Sequence, residues 1–271
     1  MNAKLFCCYL LIILFLHTGF AQPFQWQKID TGLHYATIPS PIPSSIGDSK
    51  ISVLRINPEH YHFTLASQKE GQGDYKTAKE WSAKQGFSAV INAGMFQNDN
   101  LTNVGYMKDS GFVNNGTLNH NNTIAAFNRK DTSLPRFQII DLKCQNWDNL
   151  KDEYYSYTQS IRMINCNQQN MWRQQNQKFS MVVLGADKQG NALFIFSRSP
   201  YSGHDMNDIL LQLPLNIHNV MYLEGGPETT FYLNHKGTEV SRVGSYETDY
   251  REDNRNDRLR VLPNVIGIRE R

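Results

Sequence analysis

Short runs in which apolar and polar residues alternate recur along the chain, and they constrain its fold more than any other feature. Such alternation is typical of half-buried β-strands. It is clearest in residues 50–67, 87–92, 179–197, 219–233 and 263–268. Two segments have the pattern of a short helix. Many strands with few helices between them predict an α+β fold, with a mixed, mostly antiparallel β-sheet core and a few helices, rather than a doubly wound sheet.

Turn residues between these runs predict hairpins. The clearest covers residues 179–197, with Asp187 to Asn191 as its turn and Asp187 in a structural role. Residues 105–115 predict another, and the alternation on both sides of Asn57-Pro58 predicts a third. The charged run over residues 246–260 is interpreted as a solvated loop without the ligand spacing of a calcium loop.

The two predicted helices differ in what marks their ends. The first runs from a capping box of Thr77 and Glu80 to Gly86, where a helix end favours a left-handed residue. The second has Asp205 as its predicted N-cap and ends at Pro214. Its apolar stripe consists of Met206, Ile209, Leu210 and Leu213.

Composition limits the number of domains and the class of ligand. The chain has 271 residues, of which 40% are hydrophobic and 19% charged, which suits one large domain or two small ones. A proline- and serine-rich stretch near residue 40 sets residues 22–47 apart as an N-terminal segment or linker before a main domain over 48–271. The net charge is +2 with scattered Lys and Arg, so no nucleic-acid partner is expected.

The first 21 residues have the pattern of a secretory signal peptide. Lys4 precedes an apolar run over residues 5–16, and Gly19 and Ala21 are the small residues before a predicted cut near Ala21. An uncut N-terminal membrane anchor is the alternative. No other run approaches the length of a membrane span. We therefore expect an exported protein, periplasmic or extracellular, with no membrane span in the mature chain.

Two cysteines, Cys144 and Cys166, follow the predicted signal peptide. In an oxidising compartment they can pair, but the sequence leaves a disulfide and two free thiols equally open. A metal site is less favoured, because neither has a second Cys or His at ligand spacing. The sequence predicts no cofactor and no metal.

Two predicted strands end in polar residues followed by glycine. One ends at Glu224, before Gly225 and Gly226, and the other ends at Asn92, two residues before Gly94. A buried carboxylate is costly unless it is paired or faces a cleft, and glycine lets the backbone approach a ligand closely. If the two strands are neighbours in one sheet, their ends form the floor of a site. The alternatives are a plain turn around Glu224 and an Asn92 that closes its own turn.

Five segments in order carry a resemblance to a known family: "INAGMF", "TQSIRMI", "GADKQGNALFIFSRSPYSGHD", "MYLEGGPETTFYL" and "PNVIGI". Over residues 88–268 the chain resembles the phosphodiester glycosidase family. It departs from the family pattern in two places. The usual Asp-Gly-Gly-Gly is Glu224-Gly225-Gly226-Pro227, and the usual Gly-Pro after "TQS" is Ile161-Arg162. Both departures concern the substrate more than the fold.

The resemblance implies an exported hydrolase that cleaves a sugar-1-phosphodiester in a glycan or polysaccharide. Glu224 is then the candidate carboxylate, as nucleophile or as base for water. His204 and Asp205 are further catalytic candidates. The alternatives are that His204 is only a loop residue and that Asp205 only caps the helix. Arg162 is the candidate for binding the phosphate, and its alternative is a purely structural role. Arg198 is the reserve candidate for the phosphate. The other candidates for binding sugar or phosphate are Asn92, Gly94, Gly225 and Gly226. The alternatives are an ordinary glycoside hydrolase and a non-catalytic glycan-binding protein.

Overall fold

The structure is a computed structural model, and it describes residues 24–71 and 75–271. The predicted signal peptide lies outside the described residues. The helices are α1 (Ala78–Gln85) and α2 (Gly203–Gln212). The strands are β1 (Gln27–Asp30), β2 (Leu33–Pro39), β3 (Lys50–Ile56), β4 (Tyr61–Ser67), β5 (Ala89–Asn92), β6 (Met107–Asp109), β7 (Phe112–Asn115), β8 (Asn122–Arg129), β9 (Phe137–Asp141), β10 (Tyr154–Ile164), β11 (Phe179–Asp187), β12 (Ala192–Tyr201), β13 (Ile217–Gly225), β14 (Thr230–His235), β15 (Thr238–Val243) and β16 (Asn264–Glu270).

The strands form two sheets. The large sheet has the order β1-β2-β3-β12-β11-β13-β10-β6-β7, with β8 also pairing with β10 and β9 with β8. The small sheet has the order β15-β14-β5-β16-β4. The pairings within both sheets are antiparallel. The predicted α+β fold with a mostly antiparallel sheet core is therefore confirmed.

The two sheets pack face to face, and each helix covers an outer face. Phe63, Ile91 and Phe231 of the small sheet meet Phe194 and Leu223 of the large sheet in one apolar core. The α2 side chains pack on the other face of the large sheet, and α1 packs on the other face of the small sheet. Buried apolar area between these layers is the main source of stability.

Both helices form where the sequence predicts them, but one cap differs. In α1 the Thr77–Glu80 capping box is present, and Gly86 ends the helix at a φ of 66°. In α2 the prediction of Asp205 as N-cap is wrong. The cap is Ser202, whose hydroxyl accepts a hydrogen bond of 3.0 Å from the Asp205 backbone amide. The apolar stripe fixes the face of a helix but not its first turn, and serine is as good a cap as aspartate.

The hairpin predictions had mixed outcomes. The β11–β12 and β6–β7 hairpins are confirmed, and the Asp187 carboxylate accepts from the Gln189 and Asn191 amides, each at 2.9 Å. The hairpin at Asn57-Pro58 is wrong, because β3 pairs with β2 and β12 while β4 pairs with β16 in the other sheet. Buried residues occupy both faces of β3, so its pattern does not reveal its partner.

The N-terminal segment contributes to the large sheet. Strands β1 and β2 pair along its edge next to β3, and residues 40–49 form the connecting loop. The boundary at residue 48 stays a prediction. Cys144 and Cys166, for which the sequence left two states open, form a disulfide. Among the described residues, no helix has both the length and the apolar character that crossing a membrane requires.

Candidate active site

An open cleft lies where the chain passes from the large sheet to the small one. Strand β13 ends at Gly225, one turn of 3-10 helix covers Gly226–Glu228, and β14 begins at Thr230. The cleft has a volume of about 480 Å³. Its lining residues are Met95, Phe96, Tyr222, Glu224, Gly225, Glu228, Glu247 and Tyr250. Aromatic walls with a few convergent polar groups are typical of a small-molecule site.

Glu224 is the carboxyl group at the floor of this cleft. Its strand position, opposite Val182 of β11, fixes its backbone inside the large sheet. Burial raises the pKa of Glu224 to about 8, the charges of Glu228 and Glu247 add to this, and a hydrogen bond from the Gly225 amide (3.1 Å) partly opposes it. At neutral pH most Glu224 side chains are therefore protonated, whereas the role of nucleophile or base that the resemblance implies requires the ionised form.

Glu247 reaches the same cleft from the loop that follows β15. Burial raises its pKa, and the charge of Glu228 adds to that effect. A Cβ at Gly226, where φ is 69°, would lie 2.3 Å from a Glu247 carboxylate oxygen, and a Cβ at Gly225 would lie 2.3 Å from the Tyr222 hydroxyl. The two glycines thus make room for side chains of the protein itself.

Hydrogen bonds to two strands hold the Glu247 loop in place. The Ser180 hydroxyl on β11 accepts from the backbone amides of Ser245 (2.9 Å) and Tyr246 (3.2 Å). The Arg198 guanidinium on β12 donates to the Val243 carbonyl (2.8 Å) and to the side chain (2.7 Å) and carbonyl (2.8 Å) of Asn254. Arg198, a candidate phosphate ligand, is therefore placed as an anchor of this loop.

Asn92 and Gly94 support the cleft from the small sheet. The Asn92 amide donates to the Glu228 carbonyl (3.1 Å) and accepts from the Thr230 amide (2.8 Å), so it holds the segment that joins the sheets. The condition that the two strands are neighbours in one sheet is not met, because β5 and β13 belong to different sheets. At Gly94, where φ is 136°, a Cβ would lie 2.6 Å from the Asn103 side-chain oxygen.

Arg162 lies outside the lining of the cleft. Its guanidinium forms an ion pair of 2.9 Å with Asp141, whose side chain is 0% exposed. The Cys166 amide, next to the disulfide, donates to the other Asp141 oxygen at 3.3 Å. Because the buried carboxylate requires a cation, the structure places Arg162 as a partner of Asp141 rather than beside Glu224.

His204 and Asp205 also lie outside the cleft lining, in the first turn of α2. The Asp205 carboxylate accepts a hydrogen bond of 2.9 Å from the Gln174 side chain. The His204 Nδ1 atom lies 3.4 Å from a carboxylate oxygen of Asp208, and no hydrogen bond joins them. The structure does not bring either residue together with Glu224.

Two groups of side chains in the described part of the chain have the composition of a metal site. One contains Asp141 with Cys144 and Cys166, but the two sulfurs are bonded to each other. The other contains Asp30, His235 and Glu270. Asp30 there accepts hydrogen bonds from its neighbours, including a Lys236 ammonium group. Neither group lines the cleft.

Six of the lining residues are not among the candidates predicted from the sequence: Met95, Phe96, Tyr222, Glu228, Glu247 and Tyr250. Tyr222 precedes Glu224 by two positions on one strand, so the period-2 alternation was a usable signal for it. For Glu228, which follows the two glycines, the sequence predicts only a turn. Glu247 and Tyr250 lie in the charged run, whose loop conformation was expected, but composition gives no sign that part of that loop folds over a strand end.

Comparison with known proteins gives the family. The model of the phosphodiester glycosidase family matches residues 85–269. A hypothetical protein from Synechocystis has a similar structure, with a TM-score of 0.66 and 12% sequence identity. The alignment covers 93% of this chain and 64% of the Synechocystis chain. A second similar structure is the zebrafish N-acetylglucosamine-1-phosphodiester alpha-N-acetylglucosaminidase catalytic domain, auto-inhibited by its pro-peptide. It aligns with a TM-score of 0.57 and 13% sequence identity. The alignment covers 92% of this chain and 82% of the zebrafish chain.

At these identities, the solved structures support the fold alone. Curated protein sequences give no match. The family match covers more than half of the chain, in agreement with the resemblance carried by the five sequence segments. This chain belongs to the phosphodiester glycosidase family.

Proposed function

We propose that the protein is an exported hydrolase that cleaves a sugar-1-phosphodiester at the bond between the anomeric carbon and oxygen. The observation that supports this most is Glu224, a carboxyl group with a pKa of about 8, in a cleft with two further carboxyl groups and aromatic walls. Family membership supports the reaction class. The signal-peptide pattern of the first 21 residues supports export.

In the proposed mechanism, Glu224 is the general acid and Glu247 is the nucleophile or the general base. Protonated Glu224 donates its proton to the oxygen that leaves the anomeric carbon, and the carbon–oxygen bond breaks. Glu247 either takes a proton from the water that attacks the anomeric carbon, or attacks that carbon itself and forms a glycosyl ester. In the second case water then cleaves the ester, gives its proton to the Glu224 carboxylate and releases Glu247. The products are the free sugar and a phosphate monoester, and in the first case exchange with solvent returns the proton to Glu224 and removes it from Glu247. Retention or inversion of the anomeric configuration distinguishes the two roles of Glu247.

The test is an assay of the purified protein with a panel of sugar-1-phosphodiesters that differ in sugar and configuration. We expect free sugar from at least one of them. Glu224→Gln should lower kcat at least about a hundredfold, in line with the loss of a general acid. The matched control is Glu252→Gln, an exposed residue of the Glu247 loop, which should match wild type. Turnover that survives Glu224→Gln would remove Glu224 from the mechanism.

One observation favours a second candidate, an ordinary glycoside hydrolase. The charged residues that line the cleft are all acidic, and a neutral glycoside needs no cation there. In that case a nitrophenyl glycoside would be cleaved faster than the phosphodiester of the same sugar. The same panel, extended by these glycosides, decides between the two reactions.

A further inference from the structure

A second hollow opens directly beside the cleft. It has a volume of about 260 Å³ and shares Phe96 and Glu228 with the cleft. Its remaining walls include Tyr75, Asn100 and Arg260. Because two residues border both hollows, one ligand can extend from the cleft into the second hollow.

The two hollows differ in charge. Glu224, Glu228 and Glu247 line the cleft, and no cationic residue is among its described lining residues. Arg260 brings a positive charge to the second hollow, where Glu228, at the border with the cleft, is the one acidic residue among the described lining residues. A ligand with a neutral end and an anionic end therefore has one preferred orientation, since its anion is repelled from the cleft and attracted to Arg260.

Arg260 has a fixed backbone and an uncommitted side chain. Within the described part of the chain, its guanidinium makes no hydrogen bond and no ion pair within 4.0 Å. The backbone beside it is held against the start of α1, because Val261 forms a β-bridge with Thr77 and the Leu262 amide donates to the Lys76 carbonyl at 2.8 Å. The guanidinium is therefore available to a ligand from a defined position.

The other arginines close to the site are already committed to partners. Arg198 donates three hydrogen bonds to Val243 and Asn254, and Arg162 pairs with Asp141. Arg251 and Arg255 both contact Asp253, at 3.3 and 2.9 Å. Arg260 is thus the arginine best placed to contact a ligand that extends from the cleft.

We propose that the second hollow is the leaving-group subsite, in which Arg260 binds the phosphate while the sugar occupies the cleft. This rests on the proposed function. The bond to be cleaved then lies near Glu228 and Phe96, which border both hollows. Beyond the phosphate, Tyr75 (56% exposed) and Val261 (46% exposed) offer apolar surface to the group that the phosphate carries. A planar guanidinium suits two phosphate oxygens.

Binding of phenyl phosphate, measured by titration calorimetry, tests the subsite without any turnover. Wild type should bind it, and Arg260→Ala should bind about tenfold more weakly or worse, the size of effect that one charged hydrogen bond supplies. Arg260→Lys should lie between them, since it keeps the charge but not the planar fork. The matched control is Arg258→Ala, two residues away and 90% exposed, outside the second hollow. Equal affinities of wild type and Arg260→Ala would overturn the proposal, as would the absence of binding to wild type.

Kinetics separate failure of the subsite from failure of the proposed function. Arg260→Ala should lower kcat/KM for the sugar-1-phosphodiester about tenfold more than for the nitrophenyl glycoside of the same sugar. Equal losses for both substrates would contradict a role in phosphate binding. If Arg260→Ala weakens phenyl phosphate binding while wild type releases sugar from no phosphodiester, the subsite stands and the proposed reaction is wrong.

Discussion

At the scale of single residues, Gly226 shows that a glycine in a site can serve the protein rather than the ligand. Its φ is 69°, and the space that a Cβ would take is held by a Glu247 carboxylate oxygen 2.3 Å away. Gly237 has a similar φ of 81° but open space around the same position. Substituting each glycine by alanine therefore distinguishes the cost of the backbone conformation, which both share, from the cost of displacing Glu247, which only Gly226 has.

Gly226→Ala should therefore be more harmful than Gly237→Ala. Both variants suffer the left-handed backbone, which costs roughly 1 kcal/mol for a residue with a Cβ. Gly226→Ala must also move the Glu247 carboxylate, so its free energy of unfolding should fall by about 0.5 kcal/mol or more beyond that of Gly237→Ala. Urea unfolding of the two variants measures the difference. Equal losses would mean that Glu247 does not occupy that space.

Arg162 marks a limit of sequence reasoning about single residues. A guanidinium near a proposed site is compatible with a phosphate clamp, but its role depends on which carboxylate it meets. Asp141 lies 21 positions earlier, and nothing in the spacing indicates that β9 and the end of β10 bring them within 2.9 Å. Glu224 was identified because a carboxylate at the end of a buried strand is costly without a reason.

At the scale of elements, the Glu247 loop depends on the strands beneath it. Arg198→Ala removes three hydrogen bonds to Val243 and Asn254. We expect the loop to open more often, so trypsin should cut after Arg251 or Arg255 several-fold faster than in wild type. Mass spectrometry of a timed digest identifies the cut. The control is Arg173→Ala, an exposed residue outside this loop, and equal loop cleavage in both variants would argue against the anchoring role.

Elements with local signals were predictable, and elements with distant partners were not. The capping box of α1 and the β11–β12 turn are written within a few adjacent residues. The assignment of β3 and β4 to different sheets depends on strands more than 100 positions away, such as β12 and β16. Alternation indicates which face of a strand is buried, but the strand with which it pairs is determined by tertiary contacts.

At the scale of the whole molecule, the proton on Glu224 links the cleft to stability. Folding raises the pKa of this carboxyl group from 4.5 to about 8, so the folded state binds more protons than the unfolded state between these values. The contribution of this group to the free energy of unfolding is therefore fully present below pH 4.5 and is lost as the pH rises through about 8.

Relative to Glu224→Gln, wild type should therefore lose stability across this pH range. We expect a relative loss of more than about 1.4 kcal/mol, the equivalent of one pKa unit. Urea unfolding of both proteins at the two ends of the range measures it, with Glu252→Gln expected to follow wild type. Parallel curves for wild type and Glu224→Gln would show that folding leaves the proton affinity of Glu224 unchanged.

The position of β16 between β4 and β5 in the small sheet has a consequence for the order in which the molecule matures. Residues 264–270 insert between β4 and β5, and Val265 faces Asn92, the residue that holds the segment after Glu224. On the ribosome, about 200 residues are made after β4 before the strand beside it exists. In a nascent chain, β4 therefore stays separated from the rest of the small sheet until synthesis has passed β16.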